Sequence, residues 1–306
     1  MPSKKNLLVI GGSGFIGQHL VKEAALRNYE TTVISLNVVD ENQQTCGVDY
    51  LVADVCDYDS LTGAMKGKCF SHVVNLGGYI NHARYNKGGR EVIEDHYIGV
   101  NNLVQCLNWK TLQTFVQIGS SDEYGDAPAP QKEDMRERPI SPYSLGKLLA
   151  CQLLQMLYRT EGFPAVILRL FLVYGPGQKD SRFLPQVISG CLEGKSFPAS
   201  VGQQLRDFCY VEDVVNGIFI ALKNSQAQGE VVNLASGIPV EIRQAMETVI
   251  NIVGGGSPRY GEVPYRTGEN MALYADISKA KRLLKWQPTV SLMDGLARTV
   301  DFYRAN

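Results

Sequence analysis

The stretch Asn6-Leu7-Leu8-Val9-Ile10-Gly11-Gly12-Ser13-Gly14-Phe15-Ile16-Gly17 reads as a buried strand, a tight turn and the start of a helix. Two glycine patterns overlap in it, one on Gly11, Gly14 and Gly17 and one on Gly12, Gly14 and Gly17. A chain leaving a buried strand in this way has to turn sharply, bring backbone N–H groups close to a pyrophosphate and let the helix lie against the sheet. The helix then starts at the anion, with its unpaired N–H groups and positive dipole end facing the phosphates. Ile16, Leu20 and Ala24 share one face of the run Phe15 to Arg27, which supplies the amphipathic helix that a dinucleotide-binding turn requires.

Working outward, Thr31 to Leu36 reads as a second strand ending at Asn37, with Asn28 able to take a left-handed cap before it. About 20 residues past the glycines, an NAD site usually offers Asp or Glu to the adenosine ribose. Ser35, Leu36 and Asn37 offer none, and Asp40 and Glu41 come a few residues late. Neutral groups tolerate a 2′-phosphate, although no arginine stands beside them to attract one. The reading favours NADP and leaves NAD open. A third strand, Asp49 to Ala53, ends at Asp54-Val55, and a fourth, His72 to Leu76, ends at Gly77-Gly78. Both ends fall on the carboxyl edge of a parallel sheet, where such folds bind ligands. Asp54 is placed to accept from an adenine amino group or to cap a turn.

Helical spacing from Glu91 to Asn108 leads to the strand Thr114 to Ile118, then Gly119-Ser120-Ser121-Asp122-Glu123-Tyr124-Gly125. A loop rich in proline and charge, Asp126 to Pro142, reads as a surface excursion near a site. Tyr143 and Lys147 then open a helix running to about Glu161, one turn apart on one face. A free tyrosine ionises near pH ~10; a nearby ammonium favours the phenolate and makes it a usable acid/base. After the strand Ala165 to Phe171 the strand-helix rhythm loosens, with helices at Phe183 to Leu192, Glu212 to Lys223, Glu241 to Val253, Ser278 to Lys285 and Ser291 to Tyr303, and the short strand Val231 to Leu234. The fold class is α/β, a doubly wound parallel-sheet Rossmann domain over 1–170. A smaller C-terminal lobe occupies most of 171–306, with residues of about 208–235 returning to the first domain.

Lys+Arg 30 against Asp+Glu 31 gives a net charge of -1, and no basic stripe appears, which argues against a nucleic-acid or anionic-membrane surface. The seven cysteines are scattered without a C-x-x-C pair, so no disulfide frame or metal site is expected. The first residues lead straight into a strand, and no apolar run approaches membrane-spanning length. The expectation is a cytoplasmic protein.

With these residues assembled, the chain resembles the extended short-chain dehydrogenase/reductases, the NAD(P)-dependent epimerase/dehydratase family acting on nucleotide sugars. The resemblance is carried by Gly11 to Gly17, Asp54-Val55, Ser120-Ser121, Tyr143 to Lys147, Tyr174-Gly175-Pro176-Gly177, Arg206-Asp207-Phe208 and Ala275-Asp276-Ile277-Ser278-Lys279-Ala280. It implies that Tyr143 gives or takes the proton, that Lys147 binds ribose and tunes the tyrosine, and that a serine steadies the reacting oxygen. Counting back from Tyr124-Gly125 gives Ser120 as that serine, with Ser121 the alternative. The cofactor set implied is Gly11, Gly14, Phe15, Ile16, Gly17, Asn37, Asp54, Val55, Leu76, Gly77, Gly78, Tyr143 and Lys147. Arg206 and Arg266, and more weakly Arg182, are matched to the substrate diphosphate. Leu172, His96 and Asn75 depart from residues common in the family.

The segments Ile118 to Gly125 and Arg138 to Tyr143 look closest to reductases of nucleotide-linked 4-keto-6-deoxyhexoses, which implies hydride delivery to a C4 carbonyl with Tyr143 protonating the oxygen. A 4-epimerase holding NAD is the alternative, followed by a 4,6-dehydratase using Asp122 with or without Glu123. A nucleotide-binding regulator is the non-enzymatic reading. By analogy with the family, the helices Glu91 to Asn108 and Ser144 to Glu161 pair into a homodimer interface.

Overall fold

Runs such as Leu7-Leu8-Val9 and Val73-Val74 carry no polar alternation, as strands buried on both faces require. The computed structural model describes residues 5–265 and 269–305, and places these runs in one sheet. Its first half comprises β1 (Asn6–Ile10), α1 (Phe15–Leu26), β2 (Glu30–Ser35), β3 (Asp49–Val52), α2 (Tyr58–Met65), β4 (His72–Asn75), α3 (Arg90–Cys106), β5 (Thr114–Ser120), α4 (Pro142–Glu161) and β6 (Ala165–Leu170). There follow β7 (Leu172–Tyr174), α5 (Phe183–Leu192), β8 (Ser196–Ala199), β9 (Leu205–Tyr210), α6 (Val211–Leu222) and β10 (Val231–Leu234). The chain continues through β11 (Pro239–Glu241), α7 (Ile242–Val253), β12 (Ser257–Tyr260), β13 (Ala272–Leu273) and α8 (Leu292–Ala305).

The main sheet runs β10, β6, β5, β4, β1, β2, β3, with every neighbouring pair parallel. This is the doubly wound α/β architecture expected from the sequence. One face is covered by α1 and α6 through Leu20, Val21, Val214, Ile218 and Phe219. The other is covered by α2, α3 and α4 through Leu61, Leu103, Ala150 and Leu154. Strand order reverses between β1 and β4, so the loops leaving those strands diverge and open a crevice at the carboxyl edge.

A second core, built from α5, α7, α8 and β9 around Leu184, Phe208, Met246 and Leu296, stands over that edge. Strand β9 pairs in parallel with β7 and β13 and antiparallel with β11. Two buried aspartates tie the chain here. Asp207 accepts from Ser236 N, Gly237 N and Ala275 N, and Asp213 accepts from Thr289 N and Val290 N. Burial raises the Asp207 carboxyl, and the bonds to Ser236, Ala275 and Gly237 oppose the rise.

Two details differ from the sequence reading. Helix α3 stops at Cys106 rather than Asn108, because Leu107 already has extended backbone (φ -78, ψ 142). The loop after Gly125 is also anchored rather than a plain excursion. Gln131 is fully buried and exchanges hydrogen bonds with Ala127, Ala272 and Tyr274, while Glu133 accepts from Asn233 N at 2.8 Å.

His72 on β4 and His96 on α3 are both buried, and burial above all lowers each to about 4; Lys5 and Lys223 add to the effect at His72, and Lys147 at His96. The folded chain thus holds them neutral where the unfolded chain, titrating near pH ~6.5, already binds protons. Their contribution is present above the unfolded value and is lost as pH falls towards 4. We expect the denaturant midpoint to drop between pH about 6.5 and about 4, and the drop to be shallower in His72→Gln and His96→Asn. A midpoint flat across that window in the wild-type chain contradicts this.

Candidate active site

The glycine turn is forced by contact as well as by curvature. Gly11 has φ +73, and a Cβ on Gly17 would lie 2.4 Å from Gly11 O and 2.6 Å from Gly12 Cα, so α1 can begin this close to the turn only without a side chain there. Gly14 is the N-cap of α1 and brings no side-chain cap, which leaves backbone donors at the helix start for an anion. Phe15 and Ile16 pack against the sheet core, and Ser13 accepts a hydrogen bond from buried Ser35 at the end of β2, Oγ to Oγ 3.0 Å. Asn37 follows, exposed.

Leu76 and Gly77 lie beside this turn, and Asn75 shapes their exit from β4. Its Oδ1 accepts from Gly77 N at 2.9 Å and its Nδ2 donates to Gln117 at 2.9 Å. Gly78, with φ +107, is exposed. Val55 faces Gly99 of α3, and Asn102 Nδ2 donates to its carbonyl at 3.0 Å. Asp54 is exposed, and its Oδ1 accepts from Cys56 N at 2.8 Å, so one oxygen serves the turn.

Helix α4 is set by a capping box in which Ser141 accepts from Ser144 N at 3.1 Å, with Pro142 in the first turn. That start fixes Tyr143 and Lys147, both buried, against the carboxyl end of β5. Lys147 Nζ donates to Ile118 O at 3.1 Å. Ser120 ends β5, caps the turn Ser121–Tyr124 and lies close enough to the Tyr143 phenol to favour its ionised form. Ser121 is buried, and Asp122 lines the main cavity. Tyr143 is flanked edge-on by His96 at 5.2 Å and His82 at 5.6 Å between ring centroids. His96 Nε2 donates to Tyr79 O at 3.0 Å.

The electrostatics add a burial effect that the sequence reading did not include. Tyr143 is held well above the ordinary phenol value, first by burial and then by Asp122, with Ser120 and Arg182 pulling the other way. Burial also brings Lys147 down to about 8, with Glu123 opposing the fall. Sequence spacing put the ammonium beside the phenol and omitted the burial of both, which is the larger effect here.

The cavity beyond these groups has a volume of about 1150 Å³ and runs from His82, Asp122 and Ser144 to Phe197, Arg206, Met246 and Glu269. That exceeds the ~300–1,000 Å³ usual for ligand clefts. Arg206 is paired with Glu269 and donates to Leu205 O and Asn270 O at 2.8 Å. Arg182 is exposed at the N-cap of α5 between Ser181 and Phe183, which line the cavity, and Arg266 lies outside the described residues.

Sequence reasoning did not single out Ser35, Glu269, His82 or the role of Glu123. For Glu123 a signal was present: Ser120-x-x-Glu123 is the capping-box spacing. Among the described residues no group of His, Cys, Asp and Glu could hold a metal ion, and no helix is long and apolar enough to cross a membrane.

The sequence profile of the NAD dependent epimerase/dehydratase family matches residues 7–235, from β1 through β10. The chain belongs to this family. Epimerase/dehydratase relatives align along nearly the whole chain. The dTDP-glucose 4,6-dehydratase of Salmonella typhimurium (strain LT2) is 26% identical over 98% of this chain and 93% of its own. The UDP-glucose 4-epimerase of Thermotoga maritima, solved with UDP-glucose, superposes with a TM-score of 0.91 at 26% identity, covering 98% of this chain and 99% of its own. The UDP-glucuronic acid 4-epimerase of Bacillus cereus, solved with UDP-glucuronic acid and NAD, has a TM-score of 0.87 at 28% identity, with 98% and 99% covered.

Within the family fold, the uncapped helix start and the glycine contact fit a dinucleotide pyrophosphate. Gly17→Ala is expected to weaken NAD binding about tenfold or more, in line with the ~1–3 kcal/mol cost of overpacking, measured by calorimetric titration. Unchanged affinity would contradict the contact.

Proposed function

We propose that this chain is a nucleotide-sugar 4-epimerase acting through bound NAD. The observation that supports this reading is that Tyr143 and Lys147 are buried on α4 directly behind Ser141, Pro142 and Ser144, which line one end of a cleft carrying Arg206 at the other, while Glu123 is turned inward against Arg169. Oxidation and re-reduction at C4 needs one group to handle a proton and one to steady an oxygen. A 4,6-dehydration needs further acid and base groups over C5 and C6, and of Asp122 and Glu123 only Asp122 lines the cleft.

A bound nicotinamide would supply the acceptor and donor of hydride at C4 and, while oxidised, a positive charge in the site. Gly11, Gly14, Phe15, Ile16 and Gly17 would hold the pyrophosphate, Asn37 the adenosine ribose, the remaining Asp54 oxygen and Val55 the adenine, and Leu76, Gly77 and Gly78 the middle of the dinucleotide. Tyr143 takes the proton of the C4 hydroxyl and gives it back to the keto oxygen. The Lys147 charge favours the phenolate that this requires, against the burial that opposes it. Ser120 donates to the same oxygen. Arg206, whose guanidinium is already held by Glu269, Leu205 O and Asn270 O, would meet the substrate diphosphate as a positive charge in the cleft wall, and Arg182 and Arg266 are secondary candidates for it.

The cofactor proposed is NAD rather than NADP. The preference for NADP read from Asn37 rests on a missing carboxylate alone, and no basic side chain stands at Ser35 to Asn37 to hold a 2′-phosphate. That same neutral strand end supports a second reading, reduction of a nucleotide-linked 4-keto-6-deoxyhexose by added NAD(P)H.

The test is a panel of UDP-, dTDP-, GDP- and CDP-hexoses offered without added cofactor, with products assigned by NMR. We expect a C4 epimer from one of them, and Tyr143→Phe to lower kcat by about 100-fold or more while still binding the sugar nucleotide. Loss of water to a 4-keto-6-deoxy product, or turnover only of 4-keto substrates with added NADPH, would contradict it.

We also propose a two-fold dimer through α3 and α4, whose outer faces expose Tyr97, Ile98, Leu145, Leu149 and Met156. Sedimentation should give a dimer mass that Ile98→Glu with Leu149→Glu reduces to that of a monomer; a monomeric wild-type chain contradicts the proposal.

A further inference from the structure

Glu123 stands one residue beyond the acid that reaches the cavity, and its carboxylate is spent inside the protein. Its side chain is fully buried. One oxygen accepts the backbone N–H of Ser120 at 2.8 Å, and the other accepts Arg169 Nε at 2.8 Å. Arg169 is equally buried, reaches Glu137 Oε1 through Nη2 at 2.7 Å, and lies over the Tyr124 ring with Cζ 4.6 Å from its centroid. The backbone before Ser120 is fitted to the same carboxylate, since a Cβ on Gly119 would stand 2.6 Å from Glu123 Oε1.

Two carboxylates against one guanidinium leave one negative charge, with Glu123 and Arg169 fully buried and Glu137 19% exposed. Lys147 is buried nearby, bonded to the carbonyl of Ile118, two residues before Ser120 on the same strand. Among the described residues no carboxylate lies within ion-pair distance of its ammonium. Isolated buried ammonium groups are costly and tend to lose their proton. The ionisable groups around Lys147 and Tyr143 are His82 from the segment after β4, His96 from α3, Asp122 and Glu123 from the turn after β5, Cys151 one turn along α4, Arg169 from β6 and Arg182 at the start of α5. Of these, Glu123 acts on Lys147 to keep its proton.

We propose that Glu123 is a positioning residue of this site: it fixes Ser120 through the backbone bond and, with Arg169 and Glu137, supplies the net negative charge that keeps Lys147 charged. The cluster then links the catalytic end of β5 to the anchored loop that carries Glu137. The catalytic part of this inference rests on the function proposed above; the charge balance does not.

The test follows the Lys147 Nζ resonance by NMR in NAD-loaded protein with isotope-labelled lysine, assigned by its loss in Lys147→Arg. Glu123→Gln keeps an acceptor for the Ser120 N–H and removes the charge, so the Lys147 titration midpoint should fall by about one pH unit or more. Glu137→Gln should move it in the same direction by less, and it decides the matter if Glu123→Gln does not fold. In turnover, Glu123→Gln should lower kcat by about tenfold or more, its pH profile moving to lower pH, with KM for the sugar nucleotide within about twofold. A Lys147 midpoint that neither variant moves overturns the proposal, even if both variants are less stable. If the wild-type chain turns over no nucleotide sugar, the functional reading fails, and the lysine titration still decides this one.

Discussion

Parallel strands need long crossovers, and here the crossovers from β1 lead one way while those from β4 lead the other. The backbone must therefore part at the carboxyl edge between these two strands. Everything assigned to the site answers to that parting. The glycine turn leaves β1 there, Asn75 bends the chain away from β4 there, and β5 ends next door at Ser120. The second core forms the far wall of the crevice, and Tyr143 and Lys147 are buried beside it with little access to water.

Exclusion of water has a cost that the chain offsets with charges. A phenol and an ammonium buried together resist ionisation and protonation respectively, as the directions at Tyr143 and Lys147 show. The Glu123–Arg169–Glu137 cluster, buried at Glu123 and Arg169, carries the opposing charge from behind the strand rather than from the cleft. An ion cluster of this kind is a weak source of stability, because desolvation takes back most of the Coulomb gain. Its effect here is on the protonation of neighbours and on the direction in which Ser120 points.

Much of this was legible in the sequence, and the parts that were not share one cause. The glycine turn, the strands of the main sheet and the Tyr143–Lys147 helix are local patterns set by period and by turn chemistry. The family profile over residues 7–235 agrees with what those patterns implied. Strand β13 is two residues long and exists only because β9 offers it an edge, so no local run announces it. The role of Glu123 depends on Arg169, distant in sequence, so the sequence alone offered Glu123 only as an optional second acid beside Asp122. The high phenol value of Tyr143 depends on burial, which spacing along a helix does not report. The NADP preference rested on one absent carboxylate, and the Bacillus cereus relative, whose structure contains NAD, lends it no support.

The central claim is that hydride leaves C4 and returns to C4, with Tyr143 moving the accompanying proton. The direct measurement is the fate of deuterium at C4 of a nucleotide sugar that the chain turns over. The account predicts a C4 epimer that retains the label at C4. Deuterium found at C6, or exchanged into solvent, would contradict it.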